Sequence, residues 1–403
     1  MLALRYHYSI PRYLLSRVAA WLRPRHFFPR LAPLKLEEIP FSPPALGWVI
    51  LKSRLCGICG SDLNLLKGAE SYLLEPYATF PCTLGHEVVA EVAAAPPGSG
   101  FSPGERVVVE PLLPCRARGM APCGPCRQGD YNLCEHFTQG RLAPGPLLGF
   151  HREAGGGMAE YLAAPPESLV RLPEALPDED AVLVDSLASA LQPVLDHFPA
   201  DSDTVVIYGA GVIGQQLLRA LRALGSRARL IMVARHPFQA ELARAGGADA
   251  VLISPSRREL GEAVGARFLP TTLGGGNLEG GAELFFDCVG SKSSLQEGLL
   301  ALKARGTYVL VGTAGRLGGV DLSSLWFREL RVTGSAMYAH SYFQGRRVRT
   351  YELAVELLSR PAYPRAGLLT HIFPLKEYVR AFQAAFDKRR HSSVKVAVEI
   401  CRG

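Results

Sequence analysis

Residues 1–34 contain no aspartate and no glutamate, but they hold six arginines: Arg5, Arg12, Arg17, Arg23, Arg25 and Arg30. These supply +6 of the chain's formal charge of +7, so the rest of the sequence is almost neutral. A near-neutral body lacks the broad basic face that nucleic-acid binding requires, and no nucleic-acid partner is expected. Also missing is any uninterrupted apolar run of the ~20 residues needed to cross a bilayer. Cysteine is sparse and unevenly placed, with nine in 403 residues and four of them between Cys115 and Cys134. Such clustering excludes a disulfide-stapled secreted scaffold; it suits metal ligands in a reducing compartment, which sets a cytoplasmic expectation. The remaining composition, 48% hydrophobic and 20% charged, is that of a globular chain long enough for two domains with separate cores.

Three stretches carry chemistry. The first runs from Cys59, in Cys56-Gly57-Ile58-Cys59-Gly60-Ser61-Asp62, to Gly85-His86-Glu87. A soft thiol and an imidazole with acids beside them, and room for a third ligand and a substrate, make the donor chemistry of catalytic zinc. Taken singly, Cys59 reads as buried filler and His86 as a structural histidine. The second is Cys123-Gly124-Pro125-Cys126, a C-x2-C knuckle, with Cys134 following and Cys115 preceding across Arg116 to Pro122. Four thiolates can close a tetrahedral shell with no open position, which makes a structural site. The alternative is a set of reduced, metal-free thiols.

The third stretch is a β-branched run, Thr204 to Tyr208, entering Gly209-Ala210-Gly211-Val212-Ile213-Gly214 and then an amphipathic helix. Between a strand and a helix, G-x-G-x-x-G aims backbone N–H groups and the helix dipole at a pyrophosphate. An NAD-binding fold usually places an acid ~20 residues past the glycines to hold the ribose 2′-hydroxyl. Here Ala234 and Arg235 stand at that point, and the guanidinium suits a 2′-phosphate. NADP(H) is therefore favoured over NAD(H), the alternative being a solvated surface arginine. A later strand ending at Gly312 belongs to the carboxyl edge of a parallel sheet, where the nicotinamide would sit.

The acid-free N-terminal segment has its own pattern. Met1 to His7 alternates like a strand, and Pro11 to Leu22 reads as a helix with a broad apolar face. Its flanking arginines make residues 11–30 a candidate for peripheral contact with an anionic membrane. An Arg-rich, acid-free composition is also that of a mitochondrial transit peptide. A third reading is a short helix packed on the enzyme or on a partner subunit. Residues 1–7 read as part of the fold, which argues against a cleaved leader.

The pieces CGICGSD, LGHEVVAEV, FSPGERVVVEP and GGGMAEYL, in that order, resemble the zinc-containing medium-chain alcohol and polyol dehydrogenases. The resemblance extends from about Leu34 to the C-terminus. It implies an α/β fold, with a GroES-like β-rich catalytic domain split around a doubly wound Rossmann domain. The expected division is 1–190, with a basic insert at about 8–33 and a structural-zinc lobe at about 113–136, then 191–338, and 339–403 returning to the first domain. A homo-oligomer, dimer or tetramer, is expected, with a small-molecule alcohol, polyol or sugar as substrate.

The resemblance also implies roles. Cys59 and His86 would hold the catalytic metal, with Asp185 as third ligand where polyol-type relatives carry Glu-Pro-Leu-Ala and this chain reads Asp185-Ser186-Leu187-Ala188. The alternative for Asp185 is an ordinary helix N-terminal acid. Glu87 matches a carboxylate beside the metal that exchanges with water or substrate. Asp62 matches the acid that orients the metal-bound histidine, and Ser61 the hydroxyl that passes the substrate proton onward. Two departures stand out: Asn64 replaces a histidine that serves as proton outlet, and Cys115 lies outside the usual C-x2-C-x2-C-x7-C spacing. His151 could face the substrate, but a lone histidine in a β-loop region reads first as structural, and Cys56, Cys82, Cys288 and Cys401 read as small apolar residues. Two rival readings remain at this point. One is a zinc-free quinone or enoyl reductase, which would have no use for Cys59 with His86. The other is a nucleotide-binding, membrane-peripheral protein without turnover.

Overall fold

The alternating and β-branched stretches form strands where their periodicity places them. In the computed structural model, which describes residues 1–44, 47–313 and 315–401, β1 (Leu2–Tyr6) leads into α1 (Ile10–Leu22), with Pro11 in its first turn. Next come β2 (Leu34–Glu38), β3 (Val49–Gly57) and α2 (Gly60–Lys67), then β4 (Cys82–Thr83), β5 (Glu87–Ala94) and β6 (Arg106–Val109). A short helix, α3 (Gly124–Gln128), sits among the clustered cysteines, followed by β7 (Tyr161–Ala164), β8 (Leu169–Arg171) and α4 (Asp178–Ala181).

The chain divides into two compact units. The first comprises Met1–Asp185, Val348–Pro361 and the segment from Arg365 onward; the second comprises Ser186–Arg347 and Ala362–Pro364. In the first unit β2, β1 and β4 form a small antiparallel sheet in that order. A seven-stranded sheet runs Leu369–Pro374, Lys395–Glu399, β3, β5, β6, β8, with β7 paired on β3. Alternate residues of these strands, among them Leu51, Val88, Val107, Leu162 and Val396, bury themselves in one core. Half-buried strands on an antiparallel sheet require that alternation. Tyr351 closes the unit from within, its hydroxyl donating to the Val109 carbonyl at 2.8 Å.

The second unit opens within α5 (Val184–Asp196) and continues through β9 (Thr204–Tyr208), α6 (Val212–Ala223), β10 (Arg229–Ala234) and β11 (Ala250–Ile253). A two-stranded ribbon, β12 (Arg267–Leu269) with β13 (Asn277–Glu279), carries Gly274 to Gly276 in its connection. Then come β14 (Ala282–Asp287), β15 (Leu302–Leu310) and β16 (Arg331–Gly334). The main sheet is parallel throughout in the order β11-β10-β9-β14-β15-β16, the 3-2-1-4-5-6 arrangement of a dinucleotide-binding fold. Strands of such a sheet are covered on both faces, which is why Val205, Val206 and Ile207 are all fully buried. No helix among the described residues is long and apolar enough to cross a membrane.

Candidate active site

Two antiparallel strands create the metal centre by their register. Gly57 at the end of β3 pairs with Glu87 at the start of β5. Cys59, two residues past the end of β3, and His86, just before β5, are thereby brought side by side. The ligand atoms of Cys59, His86 and Glu87 lie within 4.8 Å of one another. Glycine at position 57 leaves room for the carboxylate, since a Cβ there would stand 1.9 Å from Glu87 Oε2 and displace it. Gly85 turns the chain at φ +96°, and a Cβ there would meet Cys56 Sγ at 2.5 Å.

Cys59 is the N-cap of α2. Its own N–H donates to Asp62 Oδ2 at 2.9 Å, while the Asp62 backbone N–H points back at its side chain. The helix start thus presents the sulfur and holds Asp62, which is fully buried. Asp62 Oδ1 faces His86 Nδ1 at 3.9 Å, and neither atom has a hydrogen-bond partner among the described residues. Ser61 is half-exposed in the first turn of α2, one turn before Asn64.

The charge set favours a cation. Burial pushes the His86 imidazolium toward deprotonation, but the charges of Cys59, Asp62 and Asp185 outweigh it and raise its pKa to about 10. Lys395, equally buried, is lifted above its ordinary value by Glu87, Cys59 and Asp185 against the same desolvation. It forms an ion pair with Glu87 Oε2 and donates to the Ile58 carbonyl at 3.3 Å. A half-buried thiol, a buried imidazole and several buried carboxylates, with Asp62 Oδ1 and His86 Nδ1 unpartnered among the described residues, fit a divalent ion with sulfur, nitrogen and oxygen donors. Asp185 is buried and contributes to this field without joining the Cys59–His86–Glu87 set.

The four cysteines converge as well. The sulfurs of Cys115, Cys123, Cys126 and Cys134 lie within 4.8 Å of one another, with Cys115 and Cys134 at 3.5 Å. Tetrahedral zinc at ~2.3 Å from each sulfur would separate them by about 3.8 Å. Cys115 reaches the group despite its unusual spacing because Arg118, inside the extra segment, is buried and braced. Its guanidinium donates to the carbonyls of Gln139, Leu142, Ala143 and Gly145 at 2.5–3.0 Å. His136 Nδ1 lies 3.2 Å from Cys115 Sγ, a neighbour that sequence reading had not singled out. His151 is structural, as expected: Nε2 donates to the Ala143 carbonyl at 2.7 Å and Nδ1 accepts from Glu153 and Ala154.

In the second unit the glycine turn follows β9. Gly209 has φ +106°, Gly211 caps α6, and a Cβ at Gly214 would stand 2.0 Å from the Gly209 carbonyl oxygen. A Cβ at Gly211 would meet nothing within 4 Å, leaving backbone open to an approaching phosphate. Val212 and Ile213 form the first helical turn, whose free N–H groups point the same way. Ala234 ends β10 buried, and Arg235 beyond it is exposed with no ion pair among the described residues. Gly312 packs against the turn after β14, where a Cβ would stand 2.5 Å from the Gly290 nitrogen. That turn is held by Asp287, whose Oδ1 accepts from Val289 and Gly290 and whose Oδ2 accepts from Ser294 and the Tyr308 hydroxyl. Neither Asp287 nor Lys395 was anticipated, although a lone lysine inside Val394-Lys395-Val396-Ala397-Val398 was a visible irregularity.

Residues 45–174 match the alcohol dehydrogenase GroES-like domain, and residues 212–358 match the zinc-binding dehydrogenase family. Together these span well over half of the chain, which belongs to the zinc-containing medium-chain alcohol/polyol dehydrogenases. It is an oxidoreductase that moves hydride between a hydroxyl-bearing carbon and a nicotinamide cofactor. Among its relatives is the erythritol/L-threitol dehydrogenase of Mycolicibacterium smegmatis, 28% identical over 90% of this chain and 94% of that protein. The NADP-bound structure of a dehydrogenase from Sinorhizobium meliloti 1021 is 27% identical with TM-score 0.70, covering 91% of this chain and 95% of the other. The NADH complex of an Escherichia coli CFT073 alcohol dehydrogenase gives TM-score 0.72 at 24% identity, covering 91% and 96%.

Proposed function

We propose that the enzyme oxidises a secondary hydroxyl of a polyol or related sugar, and reduces the corresponding ketone, with NADP(H) as the preferred carrier. The observation that carries this reading is the convergence of Cys59, His86 and Glu87 at the ends of two paired strands. The similarity to an enzyme named for erythritol and L-threitol supports the polyol class. Zinc, when bound, supplies Lewis acidity toward the substrate oxygen. Cys59 and His86 would hold it, and Asp62, facing Nδ1, would orient the His86 ring. Glu87 within that set, and Asp185 from outside it, would supply oxygen donors to the ion. Lys395 would fix the Glu87 carboxylate beside Cys59 and His86 through their ion pair. Ser61 takes the hydroxyl proton toward solvent. Asn64 cannot titrate near neutral pH, so water or Glu87 carries the proton further. The four-cysteine lobe holds a second, structural zinc.

The same proposal moves the expected boundaries at 190 and 338 to those of the two compact units: catalysis belongs to Met1–Asp185, Val348–Pro361 and the segment from Arg365 onward, and cofactor binding to Ser186–Arg347 with Ala362–Pro364. A homo-oligomer, dimer or tetramer, is supported by the edge strand β16 with its exposed Val332, and by Trp326 and Phe327, which are also exposed. The enzyme works in the cytoplasm, with residues 11–30 in peripheral contact with the membrane.

A panel of polyols, sugars and simple secondary alcohols, assayed with NAD+ and NADP+, tests the reading. Polyols with NADP+ are expected to give the highest kcat/KM. Absence of turnover with every alcohol, in a preparation holding about two zinc per chain, would sink it. In the same assay Arg235→Asp should lower kcat/KM for NADP+ at least about tenfold, roughly 1.4 kcal/mol, and favour NAD+. A preference for NAD+ already present in the wild type would overturn the cofactor assignment.

A further inference from the structure

α1 meets the protein with its smallest side chains. Ser16 and Ala19 are its buried residues, and Tyr13 beside them donates its hydroxyl to the Gly68 carbonyl at 3.1 Å. The large apolar side chains point the other way: Ile10, Leu14, Leu15, Val18, Trp21 and Leu22 are all more than half exposed, Trp21 at 81%. At ~100° per residue these six fill one continuous arc of about 140°. A helix of a globular protein ordinarily turns such an arc toward the core.

The exposure is not that of a loose tail. Before the helix, β1 is paired on both sides. After it, Phe27 is buried against Phe382 and Phe386, with ring centroids 5.5 Å from each, and its N–H donates to Gln383 Oε1 at 3.0 Å. A second apolar segment is fixed beside the first. Arg17 donates to the Tyr72 hydroxyl and lies over its ring, 5.6 Å from the centroid. In the short helical stretch Tyr72–Tyr77, Leu73 is 83% exposed and Leu74 54%.

The charge around this double patch is predominantly positive. Arg12, Arg23, Arg25 and Arg30 are exposed and make no ion pair among the described residues. Across residues 8–34 and 71–78 the one acid is Glu75. Resting on the peripheral-contact reading of residues 11–30, we propose that α1 and the Tyr72–Tyr77 segment form a single docking face for an anionic lipid surface, with α1 lying in the plane of the headgroups. A wide apolar arc ending in tryptophan and flanked by arginine is the chemistry of an interfacial helix. Each arginine near an anionic surface adds about 1 kcal/mol of attraction. A second copy of the chain fits poorly, because a two-fold contact would set these arginines against their own counterparts, with Glu75 as the one acid on the patch. The face also has a fixed relation to the chemistry: α1 packs on α2, whose first turn carries Ser61 and Asp62. Hydride transfer on a soluble alcohol does not depend on this face.

The test is sedimentation of the zinc-loaded, full-length enzyme with vesicles of phosphatidylcholine alone or mixed equally with phosphatidylglycerol. Binding is expected to the anionic vesicles at low salt, and release is expected as salt is raised. The triple variant Leu14→Ser, Val18→Ser, Trp21→Ser should bind at least tenfold more weakly while oxidising soluble alcohols at the wild-type rate. Arg12→Glu with Arg23→Glu and Arg25→Glu should do the same with the apolar arc intact. Absence of wild-type binding to anionic vesicles overturns the proposal, and so does binding that survives both variants. A triple variant that lowers the solution mass without changing vesicle binding would assign the face to a second copy instead. Alcohol turnover, read on the same samples, keeps a failure here distinct from a failure of the oxidoreductase reading.

Discussion

Replacing His86 by alanine should lower kcat by about three orders of magnitude or more on every alcohol substrate, the loss expected when Lewis-acid activation of the reacting oxygen disappears. His86 is 6% exposed and supplies the nitrogen donor among Cys59, His86 and Glu87. Without it a sulfur and carboxylates remain, a set that no longer closes around a metal with one open position. The same variant removes the partner of Asp62, leaving a fully buried carboxylate facing a cavity. The four-cysteine site shares no residue with this centre. Zinc content should therefore fall from about two per chain to about one, the structural ion of a closed four-thiolate site. Metal analysis by mass spectrometry beside steady-state kinetics checks both numbers. A variant that keeps both ions, or one that loses both, would separate His86 from the role assigned to it.

Much of this site was legible before any coordinates. The glycine turn 209–214 and the C-x2-C knuckle announce themselves because the chemistry lives in adjacent residues. Cys59 and His86 could be suspected from donor type alone, although 27 positions apart in sequence. What the sequence could not show was strand register. Pairing Gly57 with Glu87 decides that Glu87 stands beside the thiol and imidazole, and a shift of one residue would have sent its side chain to the opposite face. Lys395 enters through the pairing of the closing strand with β3, a contact spanning most of the chain. The expectation that Asp185 would sit with Cys59 and His86 came from a family pattern; the group within 4.8 Å instead contains Glu87. For α1, periodicity revealed the apolar arc but not its direction. A helix with one large apolar side and one small-residue side can pack by either, and here Ser16 and Ala19 allow the closer approach.

The largest stability effect is expected at Lys395. Its side chain is 1% exposed and that of Glu87 2%, and the two form an ion pair inside the sheet. Breaking a buried pair leaves the surviving charge without compensation, at a cost of about 3–5 kcal/mol. Lys395→Met should therefore destabilise the metal-free enzyme by about that amount in urea unfolding. A divalent ion beside Glu87 supplies positive charge that the methionine cannot, so the loss should be smaller in the zinc-loaded protein. The contrast between the two forms is the diagnostic, since a mere packing defect would cost the same in both. Adding Glu87→Gln to Lys395→Met should recover most of the stability, because a neutral amide is far cheaper to bury than a lone carboxylate. Recovery will stay incomplete, as Lys395 also donates to the Ile58 carbonyl. Kinetics should move in a characteristic way. Without the lysine to neutralise it, the Glu87 carboxylate beside Cys59 and His86 would hold the ion more strongly and compete with the substrate hydroxyl, so KM should rise. In the double variant that competition weakens and KM returns toward the wild-type value. A single variant with unchanged metal-free stability and unchanged KM would mean that the pair neither holds the fold nor governs access to the metal.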